Sequence, residues 1–467
     1  MVRAASAAVV RGKRVGHAIE RLLGAEVRPG EGRVVFLFFV NLLLLLTAYY
    51  VLKVVREPLI LMHGGAVSRS YARGVQALLL IVLVPAYSVL ANRVEPGRLV
   101  NWINGFFIAS LAAFVALGML GLPLGFAFFV WLGIFSTMAI AQFWSLANDL
   151  FTEVEGKRLF PLVAAGGTLG GIVGSQIAAR GLALLGPYEL MLLASAMLVL
   201  CMALTHQGRV EATAYRARQP AKAVEHPREA SGGFTLLMRD RYLLLIGASV
   251  LLLNFINTTG DFVLAEMINQ HAASLPAAPG MSAEQARSRF IGAFYGDFQT
   301  AITIITALVQ FFVVARVFRA AGVERALLFL PLFVIGGYGL SAFLPVLMIV
   351  GMVKLVENSA DYSLQNTIQQ ALYLPTSRDA KYKAKTAIDT FVVRVGDLAS
   401  TSLVLFAVEA SLGPRELAWF NVAFGVVWSF VAMQIARRHN ALCAPARAPV
   451  PRSEAVALSP ASTEPVA

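Results

Sequence analysis

Six basic residues fall within or at the ends of long apolar stretches: Lys53, Arg56, Arg73, Arg180, Lys354 and Arg394. In hydrocarbon a central charge costs at least about 2.5–3.5 kcal/mol, so such a side chain faces a cavity or an opposite charge. Tyr49, Lys53 and Arg56 recur at i, i+4 and i+7, which is one face of a helix. The same spacing joins Asn254, Asn257, Thr258 and Asp261, and further stripes run through Lys354, Glu357, Asn358, Asp361 and Gln365. Two more are Gln142, Ser145, Asp149 and Thr152, and Thr390, Arg394, Asp397 and Thr401. The chemistry on offer is the holding of an anion. Arginine grips a phosphate or carboxylate with two parallel bonds, and lysine acts as a point charge. Lys53 and Arg56 supply the charge, while Asn148, Asn254 and Asn257 offer paired donors and acceptors to a ring or sugar edge. Asp261, Glu357 and Asp361 are acids able to exchange salt-bridge partners or carry a proton.

A structural reading stands beside that one. Lys354 with Glu357, and Arg394 with Asp397, are at pairing distance along one helix. Glu57 can neutralise Arg56, which leaves Lys53 without an acid of its own. Arg73 and Arg180 belong to no stripe and read as structural or interfacial.

Only a membrane gives those stripes their meaning. Of the 467 residues, 58% are hydrophobic and 14% charged, against about 45–50% and 25% in soluble proteins. A bilayer-crossing helix needs roughly 20 apolar residues. Hydropathy places such spans near 34–55, 70–91, 99–120, 125–149, 159–185 and 187–205, then near 242–266, 291–315, 326–344, 346–373, 386–410 and 415–436. The fold class expected is an all-α polytopic membrane protein of about 12 helices. The loops after even-numbered spans carry about eighteen Lys and Arg and those after odd-numbered spans about four, which puts the even loops and both termini in the cytoplasm. The chain divides into a basic cytoplasmic arm (1–33), a six-helix half (34–206), a cytoplasmic linker (207–241), a second six-helix half (242–438) and a disordered tail (439–467) rich in Pro, Ala and Ser. Six plus six around a long linker is the major-facilitator arrangement, with the substrate site near the midplane between the halves.

Other classes fall away. Two cysteines, Cys201 and Cys443, make no disulfide framework, and the six histidines lack ligand spacing, so no metal is expected. The net charge of +12 sits mainly between spans, which speaks for topology rather than nucleic acid. Residues 1–33 lack the apolar core of a secretory signal; 9–23 read either as a basic amphipathic helix on the inner leaflet or as a disordered arm. No constellation of nucleophile, base and oxyanion donors points to an enzyme, and no cofactor is called for. Gly166, Gly167, Gly170, Gly171 and Gly174 lack the Lys-Ser/Thr of a phosphate loop and read as a helix-packing face. Phe143 and Trp144 suit a stacked base, an interfacial belt or lipid contact.

Two segments carry a family resemblance. Phe143-Trp144-Ser-Leu-Ala147-Asn148 is followed by Glu155-Gly156-Lys157-Arg158-Leu159-Phe160-Pro161 and the glycines above. Farther on come Asp361-Tyr362-Ser363-Leu364, Ala371-Leu372-Tyr373-Leu374-Pro375, and Lys381-Tyr-Lys383-Ala-Lys385-Thr-Ala-Ile388-Asp389. This pattern resembles the ATP/ADP translocases, the nucleotide transporters of plastids and intracellular bacteria. The resemblance implies a major-facilitator-like fold and transport without ATP hydrolysis. It also implies a small-molecule anion, a nucleotide, as partner of a monomeric transport unit in the bacterial inner membrane. The family's charged pair near the end of the first span looks like Arg56-Glu57, its seventh-span acid like Asp261, and its basic cluster like Lys381, Lys383 and Lys385. Gating or coupling roles would fall to Glu57, Glu155, Lys157, Arg158, Glu357, Asp361, Asp389 and Arg394. Where the family has D-P-T-K-E, this chain has Asn366-Thr-Ile-Gln369-Gln370, without the lysine and the acids. The other readings of the residues are a proton-coupled carrier of another organic anion, with Asp261, Glu357 or Asp361 as the protonation site, and a membrane scaffold or sensor that moves nothing.

Overall fold

The computed structural model describes residues 27–28, 31–91, 96–151, 153–216, 237–276, 281–376 and 384–443, with the side chains at 88–101, 152–154, 157, 214–216 and 386 outside that description. Among these residues every regular element is helical. The first, α1 (Gly32–Ala91), is 60 residues long, about twice what a bilayer requires. It is broken at Gly65, whose φ of 63° is open to glycine without steric cost, and so supplies the first two spans as two legs. Then come α2 (Pro96–Met119), α3 (Gly125–Leu150), α4 (Glu153–Leu184) and α5 (Pro187–Arg216). The second half begins with α6 (Arg241–Ser274), where the Asp240 carboxylate caps the backbone N–H groups of Tyr242 and Leu243. It continues with α7 (Ala283–Ala326) and α8 (Phe329–Phe343). Next is α9, which runs from Leu347 through a π-helical turn (Asp361–Gln365) to Leu372. In the same way α10 runs from Lys385 through a π turn (Ile388–Val392) to Glu409, and α11 (Pro414–Cys443) ends the described chain.

Nine helices among the described residues are long and apolar enough to cross a membrane. The first of them holds two spans, and α8 and α9 bring the total to the expected twelve. Several helices outrun their apolar windows: α6 reaches Ser274, α7 spans Ala283–Ala326, and α11 continues to Cys443, into the segment expected to be a disordered tail. The fifth span was placed from 159, yet α4 starts at Glu153, and α5 continues to Arg216. A helix keeps its hydrogen-bond ladder past the point where lipid demands it.

The turns near Gly65, Gly121, Gly186, 344–346 and 410–413, with the end of α6 at Ser274 and the start of α7 at Ala283, lie at one end of the bundle, called here the short-turn end. There Gly125 packs on the backbone of Leu59 and Gly118 on Tyr188, and Arg287 donates to Asn269 Oδ1 at 2.5 Å. The other end, the long-loop end, is fastened by Arg158, which grips Glu31 at 2.7 and 2.6 Å, and by the Tyr242 hydroxyl, which donates to the Leu372 carbonyl at 2.8 Å.

Each half builds its core around a buried tryptophan whose indole N–H finds a serine on a neighbouring helix. Trp131 stacks between Phe128 and Phe135 and donates to Ser110 Oγ at 2.8 Å. Trp428, fully buried, donates to Ser249 Oγ at 2.8 Å. The glycines of α4 pack helix on helix as expected. A Cβ at Gly166, Gly170 or Gly174 would stand 2.4, 2.3 or 2.4 Å from the carbonyl oxygens of Phe39, Leu43 and Thr47 in α1. Gly170→Ala must therefore push two backbones apart. Overpacking of this kind costs about 1–3 kcal/mol, so the melting temperature in detergent falls by several degrees. Gly339→Ala, where a Cβ meets nothing within 4 Å, leaves it unchanged.

The halves join toward the short-turn end. Gly296 of α7 lies against Ala179 and the Ser175 carbonyl of α4, and Gly292 lies against Leu182. Gln176 donates to Thr300 Oγ1 at 2.9 Å. On the other side of the bundle, Gly74 in the second leg of α1 meets Thr401 of α10, whose hydroxyl donates to the Ser70 carbonyl at 3.4 Å.

Candidate functional site

Between the halves lies a chain of buried charges drawn from α1, α6, α8 and α9. Glu57, 3% exposed, receives Arg56 on one carboxylate oxygen and Arg69 Nε, at 2.8 Å, on the other. The Arg56 guanidinium also lies 4.0 Å from the Phe129 ring centroid, within cation–π range. Arg69 reaches across to the second half, where its Nη1 donates to the Asp261 carbonyl at 3.4 Å. Arg73, one helical turn on, donates to Asp261 Oδ2 at 2.8 Å. The other Asp261 oxygen takes Lys354 Nζ at 3.2 Å. Lys354 is fully buried and also contacts Glu357 Oε2 at 3.2 Å, Asn257 Oδ1 at 2.6 Å and the Asn257 carbonyl at 3.1 Å. The Tyr338 hydroxyl of α8 donates to the same Glu357 oxygen at 2.6 Å, and Glu357 Oε1 is buried without a hydrogen-bond partner among the described residues. Asn257 then turns its amide N–H toward Asp361 Oδ2 at 3.5 Å, so one amide bridges Lys354 and Asp361.

The physical reason for so many partners is the setting. A lone charge in hydrocarbon is costly, and a buried pair holds only where the remaining hydrogen-bonding positions are filled. The intrahelical pair Lys354–Glu357 is present, and α6 adds a second acid to it. Arg394 with Asp397, at 3.2 Å, is the other local pair. Asn254 donates to the Val393 carbonyl at 2.7 Å and to Asp397 Oδ1 at 3.0 Å, and the Thr258 hydroxyl reaches the same oxygen at 3.1 Å. Asn254 and Arg394 thus share one acid, joining α6 to α10.

Lys53 stands apart. Its ammonium lies 5.3 Å from the Tyr50 ring centroid and 6.0 Å from that of Tyr49, with no acid partner among the described residues. Tyr362 of α9 is 48% exposed, although Asp361, Tyr49, Tyr50 and Asp261 all lie within electrostatic range of it. Those neighbours come from both halves.

The remaining residues singled out by sequence lie toward the long-loop end. Asn148 is exposed at the end of α3. Glu155 is buried at the start of α4, near the Arg158–Glu31 pair. Lys385 donates to Gln370 Oε1 at 2.6 Å, and Asp389 is exposed in the π turn of α10. Lys381, Lys383 and the Lys157 side chain lie outside the described residues. Phe143 and Trp144 are engaged inside the first half, against Phe38 and Phe160.

Two members of the charge chain went unassigned in the sequence. Arg73 read as structural or interfacial, and Arg69 drew no notice. Both sit four to eight residues beyond a turn, where basic residues ordinarily mark topology. A usable signal was their i, i+4 spacing on one face of the second leg of α1.

No protein-family model matches the chain, and no curated protein matches it. Solved structures do. The chain is similar to the nucleoside transporter NupG (TM-score 0.61, 11% identity, covering 86% of this chain and 98% of that one). It is similar to the POT-family transporter PepTSo (0.62, 12%, 88% and 98%) and to a bacterial homologue of the iron transporter ferroportin in an inward-facing state (0.62, 13%, 86% and 98%). At these identities the likeness establishes the fold: an all-α, major-facilitator-like membrane protein.

Proposed function

We propose that this chain is a secondary transporter that moves a small organic anion across the bacterial inner membrane by alternating access, as a monomeric unit with both termini in the cytoplasm. The observation that carries the reading is the cross-half charge chain. Arg73 and Lys354, one from each half, share the single carboxylate of Asp261. Such a contact holds one end of the bundle shut and can be broken only if both halves find new partners, which makes it a gate. The basic long-loop end then faces the cytoplasm, and Lys53 lies beneath the gate.

Among organic anions, the motif resemblance around Phe143–Pro161 and Asp361–Asp389 points to nucleotides exchanged in the ATP/ADP manner, whereas the charge balance around Lys53 favours an anion with a single charged group. Electrostatics favours exchange over uniport for any such substrate. Each charge moved across 100 mV costs about 2.3 kcal/mol, so importing four charges against a negative interior costs roughly 9 kcal/mol, and one-for-one exchange of ATP for ADP moves only one. The test is uptake into proteoliposomes preloaded with ADP and offered labelled ATP. Uptake that requires internal nucleotide establishes the exchanger. Uptake driven by a pH gradient, with no internal anion needed, shows the proton-coupled carrier instead. Folded protein that moves no nucleotide and no other organic anion under any gradient contradicts the reading.

A further inference from the structure

Building on the reading of an organic-anion carrier, we infer that Lys53, with Tyr49, Tyr50 and Tyr362, is the substrate's anion subsite, and that it accepts one anionic group, a carboxylate or a phosphate monoester, borne on a planar ring. The argument starts from charge balance. Arg56 and Arg69 are held by Glu57, Arg73 and Lys354 by Asp261 and Glu357, and Arg394 by Asp397. These cations are not available to a substrate unless the gate dissolves. Lys53 has no acid partner among the described residues and is only part-buried, deep within the first leg of α1. A single anionic group meets it one for one. A triphosphate brings three or four negative charges to a place that holds one free cation among the described residues.

The surroundings specify what the anionic group is attached to. Tyr49 and Tyr50 lie edge to face, with centroids 5.2 Å apart, and their rings flank the Lys53 ammonium. They keep the lysine in the interior without neutralising it, because a ring quadrupole attracts a cation but leaves its charge to be used. Tyr50 is itself fixed, since a Cβ on Gly171 would touch its ring at 3.2 Å and Thr303 at 3.4 Å. From the opposite half, Tyr362 is half exposed and lies within electrostatic range of both Tyr49 and Tyr50. A flat ring next to the anionic group would stack there, as aromatic pairs do at centroid separations of about 4.5–7 Å. A substrate so held touches α1 of one half and α9 of the other, which is what a ligand must do to bias their relative position.

The experiment is equilibrium binding to the purified full-length chain in detergent, with 4-hydroxybenzoate, phenyl phosphate and ATP as probes. 4-Hydroxybenzoate or phenyl phosphate is expected to bind at least tenfold more tightly than ATP, and whichever of the two binds identifies carboxylate or phosphate as the natural group. Lys53→Gln weakens that binding tenfold or more, Lys53→Arg keeps most of it, and Tyr362→Leu weakens it severalfold, with melting temperatures like the parent's in each case. ATP binding more tightly than both, or Lys53→Gln binding as the parent does, overturns the inference. Nucleotide exchange in proteoliposomes that survives Lys53→Gln overturns it too while leaving the carrier reading intact. If neither binding nor uptake of any organic anion is found, the carrier reading itself falls.

Discussion

Replacing Asp261 by alanine abolishes transport and opens the short-turn end of the bundle. Asp261 neutralises Arg73 from one half and the fully buried Lys354 from the other, at 2.8 and 3.2 Å. Removing one member of a buried pair costs about 3–5 kcal/mol, because the partner charge is left uncompensated. In Asp261→Ala two cations lose that partner at once, and the carboxylate that Arg73 and Lys354 share is gone. A loss of about 3 kcal/mol from the closed state shifts a two-state population by more than a hundredfold. A cysteine introduced by Gly74→Cys, where the second leg of α1 meets α10, should then react with an impermeant maleimide at least tenfold faster than in the parent background. Asp261→Glu retains the charge and has the milder effect. An Asp261→Ala protein that transports and labels like its parent contradicts the gate.

The second large effect lies one contact further in. Lys354→Met leaves Glu357, itself fully buried, with the Tyr338 hydroxyl as its remaining partner. The melting temperature in detergent should fall steeply, corresponding to about 3–5 kcal/mol. Adding Glu357→Gln recovers part of that loss, since a neutral amide needs no counter-charge and methionine fills most of the lysine's volume. The two changes are therefore non-additive by about 0.5–3 kcal/mol, the range for residues in one network. Simple additivity of the two melting shifts contradicts the pairing.

The spans were legible in the sequence because lipid imposes a length and an apolarity that few other structures share. The local pairs Lys354–Glu357 and Arg394–Asp397 were legible too, since three residues along a helix bring side chains together whatever surrounds them. Lys53 could be marked as unusual because the one acid within a turn of it, Glu57, stands beside Arg56, and among the described residues the structure gives Lys53 no acid partner. What could not be read was partnership across the halves. Asp261 is 188 residues from Arg73 and about ninety from Lys354. Only the packing of the second leg of α1 against α6 and α9 reveals that one carboxylate serves both. Asn254 teaches the same lesson, because its amide is engaged by Val393 and Asp397 of α10, a use no stripe on α6 discloses. The π turns at 361–365 and 388–392 were equally hidden, because one extra residue per turn leaves no mark on an apolar pattern.

Alternating access requires the halves to separate at the short-turn end. Gly74 and Thr401 allow a direct test, because a Cβ built on Gly74 lies 3.5 Å from that of Thr401, at the short edge of disulfide geometry. In a protein carrying Gly74→Cys and Thr401→Cys, with Cys201→Ala and Cys443→Ser to remove the native thiols, oxidation should bind the second leg of α1 to α10. The measurement is uptake, in proteoliposomes, of whichever anion the parent carries, before oxidation, after it, and after reduction. The account predicts parental uptake from the reduced protein, background uptake from the oxidised one, and recovery on reduction. Undiminished uptake by fully cross-linked protein would show that the halves do not part there.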